Sequence, residues 1–200
     1  MPSDRSNRAY QQTTRAEQSE ANTRRVIGSA VALLRTTRRI DEVTLDAIAA
    51  QSGVTVRTIL RHFGTRDGLL EAAFLALGDE FSGHRIPPQP DNIDAAIQSL
   101  FENYEQDGDV NIRALEQEDD FPLVHEALQR GRANHRAWLE QLFAPHLAPL
   151  KPTARDQRVL QLYAVTDVYL WKLLRRDLGQ ATASAAHIIR SLIAAILNQK

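Results

Sequence analysis

Apolar residues recur along this chain at three- and four-residue intervals, almost without interruption from Ala21 onward. Ile27, Ala30, Val31 and Leu34 form one i, i+3, i+4, i+7 stripe, the spacing that lines one face of a helix. In TLDAIAAQSG, Thr44 stands at an N-cap position, Leu45, Ile48 and Ala49 turn inward, and Gly53 ends the helix. VTVRTILRHF predicts a second short helix, capped by Thr55, with Ile59 and Phe63 as core contacts one turn apart. A longer helix starts near Thr65 and runs through Leu69, Leu70, Ala73, Phe74 and Leu77, until the prolines of GHRIPPQPD stop it. Beyond that break, DNIDAAIQSLFENYEQ, DVNIRALEQ and PLVHEALQRGRANHRAWLEQLFA read as amphipathic helices, and PHLAPLKP is a second break. Two helices, at about 153–178 and 180–198, close the pattern on either side of Gly179. No strand-like alternation persists and no repeat is visible. The expectation is an all-α chain of about nine helices.

Residues 1–20 stand outside this pattern. They are rich in Ser, Asn, Gln, Thr and Arg with little to bury, which predicts a disordered arm. Such an arm is either inert or carries Arg5, Arg8 and Arg15 to a DNA groove or backbone. It lacks an apolar segment of the secretory kind.

Charge changes the picture more than composition does. The 200 residues are close to neutral, with 24 basic against 25 acidic side chains. Up to Arg66, however, 11 arginines face 6 acidic residues, and from Asp67 onward 13 basic face 19 acidic. A basic head on an acidic body is the electrostatic footprint of a protein that meets a polyanion at one end. The absence of cysteine excludes disulfides, thiolate metal sites and cysteine nucleophiles, and fits a reducing cytoplasm. No apolar run approaches the ~20 residues of a membrane span. GxSxG, HExxH and a phosphate-cradling glycine loop are all missing, so no catalytic residue and no enzymatic activity are expected. His125 and His135 are too far apart for a helical metal pair, and neither a metal nor a cofactor is expected.

Residues 44–63 make the sharpest constellation. Two short helices joined at Gly53, with Val54 plugging the angle between them, fit a helix-turn-helix. The side of the second helix opposite Ile59 and Phe63 shows Val56, Arg57, Leu60 and Arg61, two adjacent i, i+4 pairs. Arginines on that face can pair bidentately with guanine in the major groove or grip phosphate.

LDAIAAQSGVTVRTILRHFGTRDGLLEAAF resembles the DNA-binding signature of the tetracycline-repressor (TetR) family of transcriptional regulators. The resemblance rests on Ile48-Ala49, Gly53-Val54-Thr55, Thr58-Ile59, His62-Phe63, Arg66 and Leu69-Leu70, with RRVIGSAVALLR upstream as the family's first helix. YLWKLLRRDLGQATASAAHIIRSLIAAIL is similar to the family's last two helices, which pair with their mates in a second subunit. The resemblance implies a helix-turn-helix DNA-binding domain of three helices at 21–66 and a larger helical ligand-binding and dimerisation domain at 67–200. It implies that Thr44, Thr55, Thr58, His62 and Arg66 hold the phosphate backbone or brace the turn, and that Val56, Arg57 and Leu60 lie near base edges, with Arg61 beside them. Thr44 and Thr55 also read simply as caps, His62 as packing beside Phe63, and Arg66, at a helix start, as a phosphate clamp. Leu60 departs from the family pattern, which commonly has Tyr there; leucine meets a thymine methyl or a sugar face instead, or leans into the core beside Val56.

The same resemblance implies a small-molecule site among the middle helices whose occupation releases DNA. Phe101, Tyr104, Phe121, His125, Trp138 and Tyr163 are the candidates for its lining, with core packing as the alternative for each aromatic ring. The dimer interface is expected from Leu170, Leu173, Leu174, Ile189, Leu192, Ile193 and Ile196, as a four-helix contact across a two-fold axis. The implied partners are therefore a palindromic double-stranded DNA operator, a small-molecule effector and a second copy of the chain, with no membrane. Repression is the expected outcome; activation, or a helical ligand- or protein-binding module that has lost DNA contact, are the alternatives.

Overall fold

A computed structural model describes the backbone of residues 3–84, 90 and 92–199, and the side chains of 17–80, 90 and 92–199. Among the described residues there is no strand; the fold is all-α, as the 3.6-residue periodicity requires. The chain divides into two compact units, Met1–Leu77 and Gly78–Lys200.

The first unit holds α1 (Ser3–Thr36), a 3-10 turn (Ile40–Glu42), α2 (Leu45–Ser52), α3 (Val56–Phe63) and the first turns of α4 (Arg66–His84). α1 packs on α2 and α2 on α3. Val26, Ala30, Val31 and Leu34 of α1 are buried, as are Ile48, Ile59, Leu69, Leu70 and Ala73 of the following helices. Gly53 closes α2 with φ 67°, the left-handed conformation in which glycine carries no Cβ penalty, and its N–H bonds Ala49 O at 3.0 Å.

Two expectations change here. α1 starts at Ser3, inside the segment expected to be a disordered arm. Ala, Glu, Gln and Arg are good helix formers, and extending an existing helix needs no new nucleus. The side chains of Arg5, Arg8 and Arg15 lie outside the described residues. The division between units falls within α4 rather than at 66/67, because Leu69, Leu70 and Ala73 are fully buried with the helix-turn-helix core. Most of the expected proline break, residues 85–89 and 91, is outside the described residues.

The second unit comprises α5 (Ile93–Glu116), α6 (Pro122–Leu142), α7 (Ala144–Leu147), α8 (Pro152–Thr166), α9 (Val168–Lys172), a π-helical turn (Leu173–Asp177) and α10 (Thr182–Leu197). α5 packs against α6, α9 and α10, and α8 against α6 and α10. Their core includes Ile97, Leu100, Leu139, Leu142, Phe143, Leu162, Trp171 and Ile189.

The two helices expected around Gly108 are one, α5. Gly108 survives mid-helix because the Trp171 ring occupies the space where a Cβ would stand. Conversely, the helix expected over 153–178 breaks at Asp167, whose backbone is extended (φ −72°, ψ 152°) and whose carboxylate accepts from Tyr169 N at 3.0 Å to cap α9. Among the described residues, no helix is long and apolar enough to cross a membrane.

Candidate nucleic-acid interface and buried polar cluster

The helix-turn-helix is set by short-range bonds. Thr44 Oγ1 accepts from Ala47 N at 3.2 Å, and Thr55 Oγ1 accepts from Thr58 N at 3.3 Å, so each threonine caps its helix. Neither bond uses the threonine proton. Thr44 keeps its O–H for an outside acceptor, while Thr55 donates its own to Thr58 Oγ1 at 3.1 Å. Val54 is buried at the turn, its N–H donated to Ser52 Oγ at 3.3 Å.

With Ile59 fully buried, α3 turns Arg57, Leu60, Arg61 and His62 outward, and Val56 and Thr58 lie half-buried at the edges of that face. Leu60 is 37 % exposed, which removes the expectation that it leans into the core. Arg57 and Arg61 have no hydrogen-bond or ion-pair partner among the described residues. His62 lies 6.4 Å from the Phe63 ring, tilted at 54°, with its imidazole exposed.

Arg66 behaves differently from Arg57 and Arg61. Its Nε donates to Val43 O at 2.8 Å, its Nη2 to Ile40 O, and its Nη1 lies 3.4 Å from Asp67 Oδ1. The guanidinium therefore bonds a carbonyl on either side of the 3-10 turn, Ile40 O at its start and Val43 O just past its end. Of the two roles expected of it, these contacts are those of a brace. Gly68, a residue the sequence reading passed over, completes the turn: a Cβ there would fall on the Phe63 carbonyl oxygen.

In the second unit the polar residues converge on Thr166. Tyr104 OH donates to Thr166 O at 2.9 Å, and His135 Nε2 lies 2.9 Å from Thr166 Oγ1. Thr166 Oγ1 also lies 2.8 Å from Leu162 O, so its hydroxyl links the His135 ring to the α8 backbone. The His135 ring stacks on Trp138 (5.8 Å, 15°) and meets Tyr163 edge-on (4.8 Å, 83°). Three of the six expected lining residues, Tyr104, Trp138 and Tyr163, are thus gathered, and Phe101 is buried in the same core. His125 and Phe121 are not part of this group. His125 is exposed, its Nδ1 3.0 Å from Glu118 Oε1; Phe121 is half-buried at the start of α6. Arg132 donates to both Glu118 oxygens at 2.6 Å, holding that carboxyl below the usual glutamate range.

A second cluster ties α5 to the π turn. Trp171 Nε1 donates to Glu105 Oε1 at 2.9 Å, Arg175 donates to both Glu105 oxygens at 2.6 and 3.0 Å, and Arg176 pairs with Asp109 at 2.9 Å while lying 4.4 Å over the Trp171 ring. Arg175 lowers the Glu105 carboxyl below its ordinary range, with smaller help from the indole N–H. Among the described residues, no three His, Asp or Glu side chains assemble to hold a metal ion.

Residues 36–73, the end of α1 through the first two turns of α4, match the family model described as bacterial regulatory proteins, tetR family. Over these residues the chain is similar to the N-terminal module of the TetR family. The TetR-type fold extends over nearly all of the chain. A putative transcriptional regulator from Pseudomonas aeruginosa PAO1 is similar at TM-score 0.71 and 17 % identity, over 89 % of this chain and 91 % of that one. A putative TetR-family regulator from a Rhodococcus species matches at 0.66 and 17 %, over 89 % and 100 %. The multidrug binding protein EbrR, complexed with imidazole, matches at 0.56 and 20 %, over 86 % and 94 %. No curated protein sequence matches.

Within this TetR-type fold, four residues expected at a dimer interface face the core of their own unit: Leu174, Ile189, Ile193 and Ile196 are all buried. Leu170 is half-buried, and only Leu173 (44 %) and Leu192 (39 %) are exposed. The last helix is apolar around more than half its circumference, and periodicity alone does not say which side turns inward. Sequence reading also missed His135 and Thr166, although a histidine three residues before Trp138 on one helix face was a visible signal.

Proposed function

We propose that this protein is a sequence-specific transcriptional regulator that binds double-stranded DNA through α3. The observation that carries the reading is the outward face of α3: two arginines without a partner among the described residues and a histidine, on a helix capped by Thr55, inside the segment that matches the TetR family model. Arg57 and Arg61 supply base or phosphate contacts, Thr44, Thr58 and His62 flank them toward the backbone, and Arg66 holds the turn in place.

The fuller reading is a cytoplasmic repressor that binds a palindromic operator as a homodimer and lets go when a small molecule enters the second unit. The exposed Leu173 and Leu192, with Leu160, Tyr169 and Leu178 also exposed, supply apolar surface for a second copy. The Tyr104–Thr166–His135 cluster, lined by Trp138 and Tyr163, supplies polar handles on apolar walls suited to an aromatic effector. That a neighbour of the same fold is a multidrug binding protein supports the choice of a small organic molecule.

Selection of bound duplexes from a random pool tests the core of this reading. The expected result is two inverted half-sites spaced by one or more helical turns, with binding that weakens steeply as salt rises. Failure to shift any duplex at low salt overturns the DNA-binding assignment. A monomer in sedimentation at micromolar concentration overturns the dimer.

A further inference from the structure

Leu60 is the one exposed large apolar side chain on α3, and its neighbours on that face are Arg57 and Arg61. Val56, one turn before it, is half-buried, so the two form a short apolar strip running alongside the Arg57–Arg61 pair. Among the described residues Leu60 stays exposed, while Ile59 is fully buried on the core-facing side of the helix with Phe63 half-buried beside it. A charged face flanked by an apolar strip is matched to a surface with the same pattern, an apolar point beside polar edges. The DNA major groove offers that pattern at thymine, whose C5-methyl is the apolar feature among base-edge acceptors and donors.

We infer that Leu60, buttressed by Val56, is a specificity-determining residue that contacts a thymine methyl in the operator. The inference rests on the DNA-binding reading above and deepens it by naming the base. The neighbouring arginines fix the register, through guanine edges or phosphates, and Leu60 selects thymine at the position beside them. An apolar contact with a sugar, or with a protein partner, has no dependence on that methyl group.

Replacing thymine by uracil removes the C5-methyl and leaves the pairing edge intact, so the test alters the DNA without altering the protein. Duplexes recovered from the random pool are remade with uracil at one thymine at a time. At one thymine per half-site, uracil is expected to weaken binding of the unaltered protein about fourfold, the equivalent of ~0.8 kcal/mol for one buried methyl-sized group. Leu60→Ala should bind the thymine duplex more weakly and be indifferent to uracil at that same position, while its thermal unfolding matches that of the unaltered protein. Uracil and thymine bound equally at every position by the unaltered protein overturn the inference and leave DNA binding standing. An unaltered uracil effect in Leu60→Ala assigns the methyl contact to another residue and also overturns it. Absence of any duplex binding overturns both readings together.

Discussion

In Met1–Leu77 the hydroxyls of Thr44, Thr55 and Thr65 each serve a backbone N–H three residues further on. In Gly78–Lys200 the phenol of Tyr104 reaches 62 positions along the chain to Thr166, and the indole of Trp171 reaches 66 positions back to Glu105. The first unit uses polar side chains to end and start helices. The second uses them to fix which helices lie together. Local bonds of the first kind are each worth about 1 kcal/mol and fail one at a time. Long-range bonds of the second kind sit in shared packing, so removing one member disturbs several contacts at once.

The sharpest way to break this contrast is at Trp171. The side chain is fully buried, lies against Gly108, donates to Glu105 and carries the Arg176 guanidinium on its face. Trp171→Ala is expected to destabilise the second unit by about 3–5 kcal/mol, the range for removing a buried Trp or Phe. The other tryptophan of the chain, Trp138, lies in the same unit, so its fluorescence during urea denaturation reports the loss directly. A cost near 1 kcal/mol would mean that the α5–α9 contact is as forgiving as a helix cap.

The same contrast explains what the sequence made legible. The helix-turn-helix could be read because its determinants are neighbours: Thr44 before α2, Gly53 after it, Thr55 before α3, and Ile59 one turn from Phe63. Its outward face followed from the same spacing, and Arg57, Leu60 and Arg61 are exposed. The second unit was read only as helical pattern. Ile189, Ile193 and Leu192 look equivalent in sequence, yet the first two are buried and the third is exposed, because the choice of side depends on α5 and α8. The break at Asp167 was equally hidden: YAVTDVYL has no Gly or Pro to announce it, and the bonds that accompany it come from Tyr104 and His135 on other helices.

Arg66 is the exception inside the first unit, with carbonyl partners 23 and 26 residues away. It therefore sharpens the comparison at intermediate size. Arg66→Ala is expected to lower stability by roughly 2 kcal/mol, since charged groups hydrogen-bonded to carbonyls contribute more than neutral ones. DNA affinity should fall with it, because the turn ahead of α2 loosens. The dependence of log affinity on log salt should keep its slope, whereas Arg57→Ala or Arg61→Ala lowers the slope by about 0.9 if that residue grips phosphate. A slope reduced by about one in Arg66→Ala would restore the phosphate clamp and put Arg66 among the DNA contacts.

The smallest expected effect tests whether the charge at Glu105, apart from its packing, belongs to the long-range network. Glu105→Gln keeps an oxygen to accept from Trp171 Nε1 but places an amide N–H₂ against the Arg175 guanidinium, which now pairs with both carboxylate oxygens. The pair is partly exposed, so solvent screens it and the loss should be about 1 kcal/mol at neutral pH. Its pH dependence has a definite sign. The Arg175 bond holds the folded-state carboxyl below its ordinary value, so the stabilisation is complete above the ordinary glutamate range and disappears as pH falls toward the lowered folded value. Melting curves of the two proteins should therefore be separated at pH 7 and converge in acid. A separation that persists unchanged into acid would assign the effect to shape and hydrogen bonding alone, and would leave the second unit's network held by packing rather than by charge.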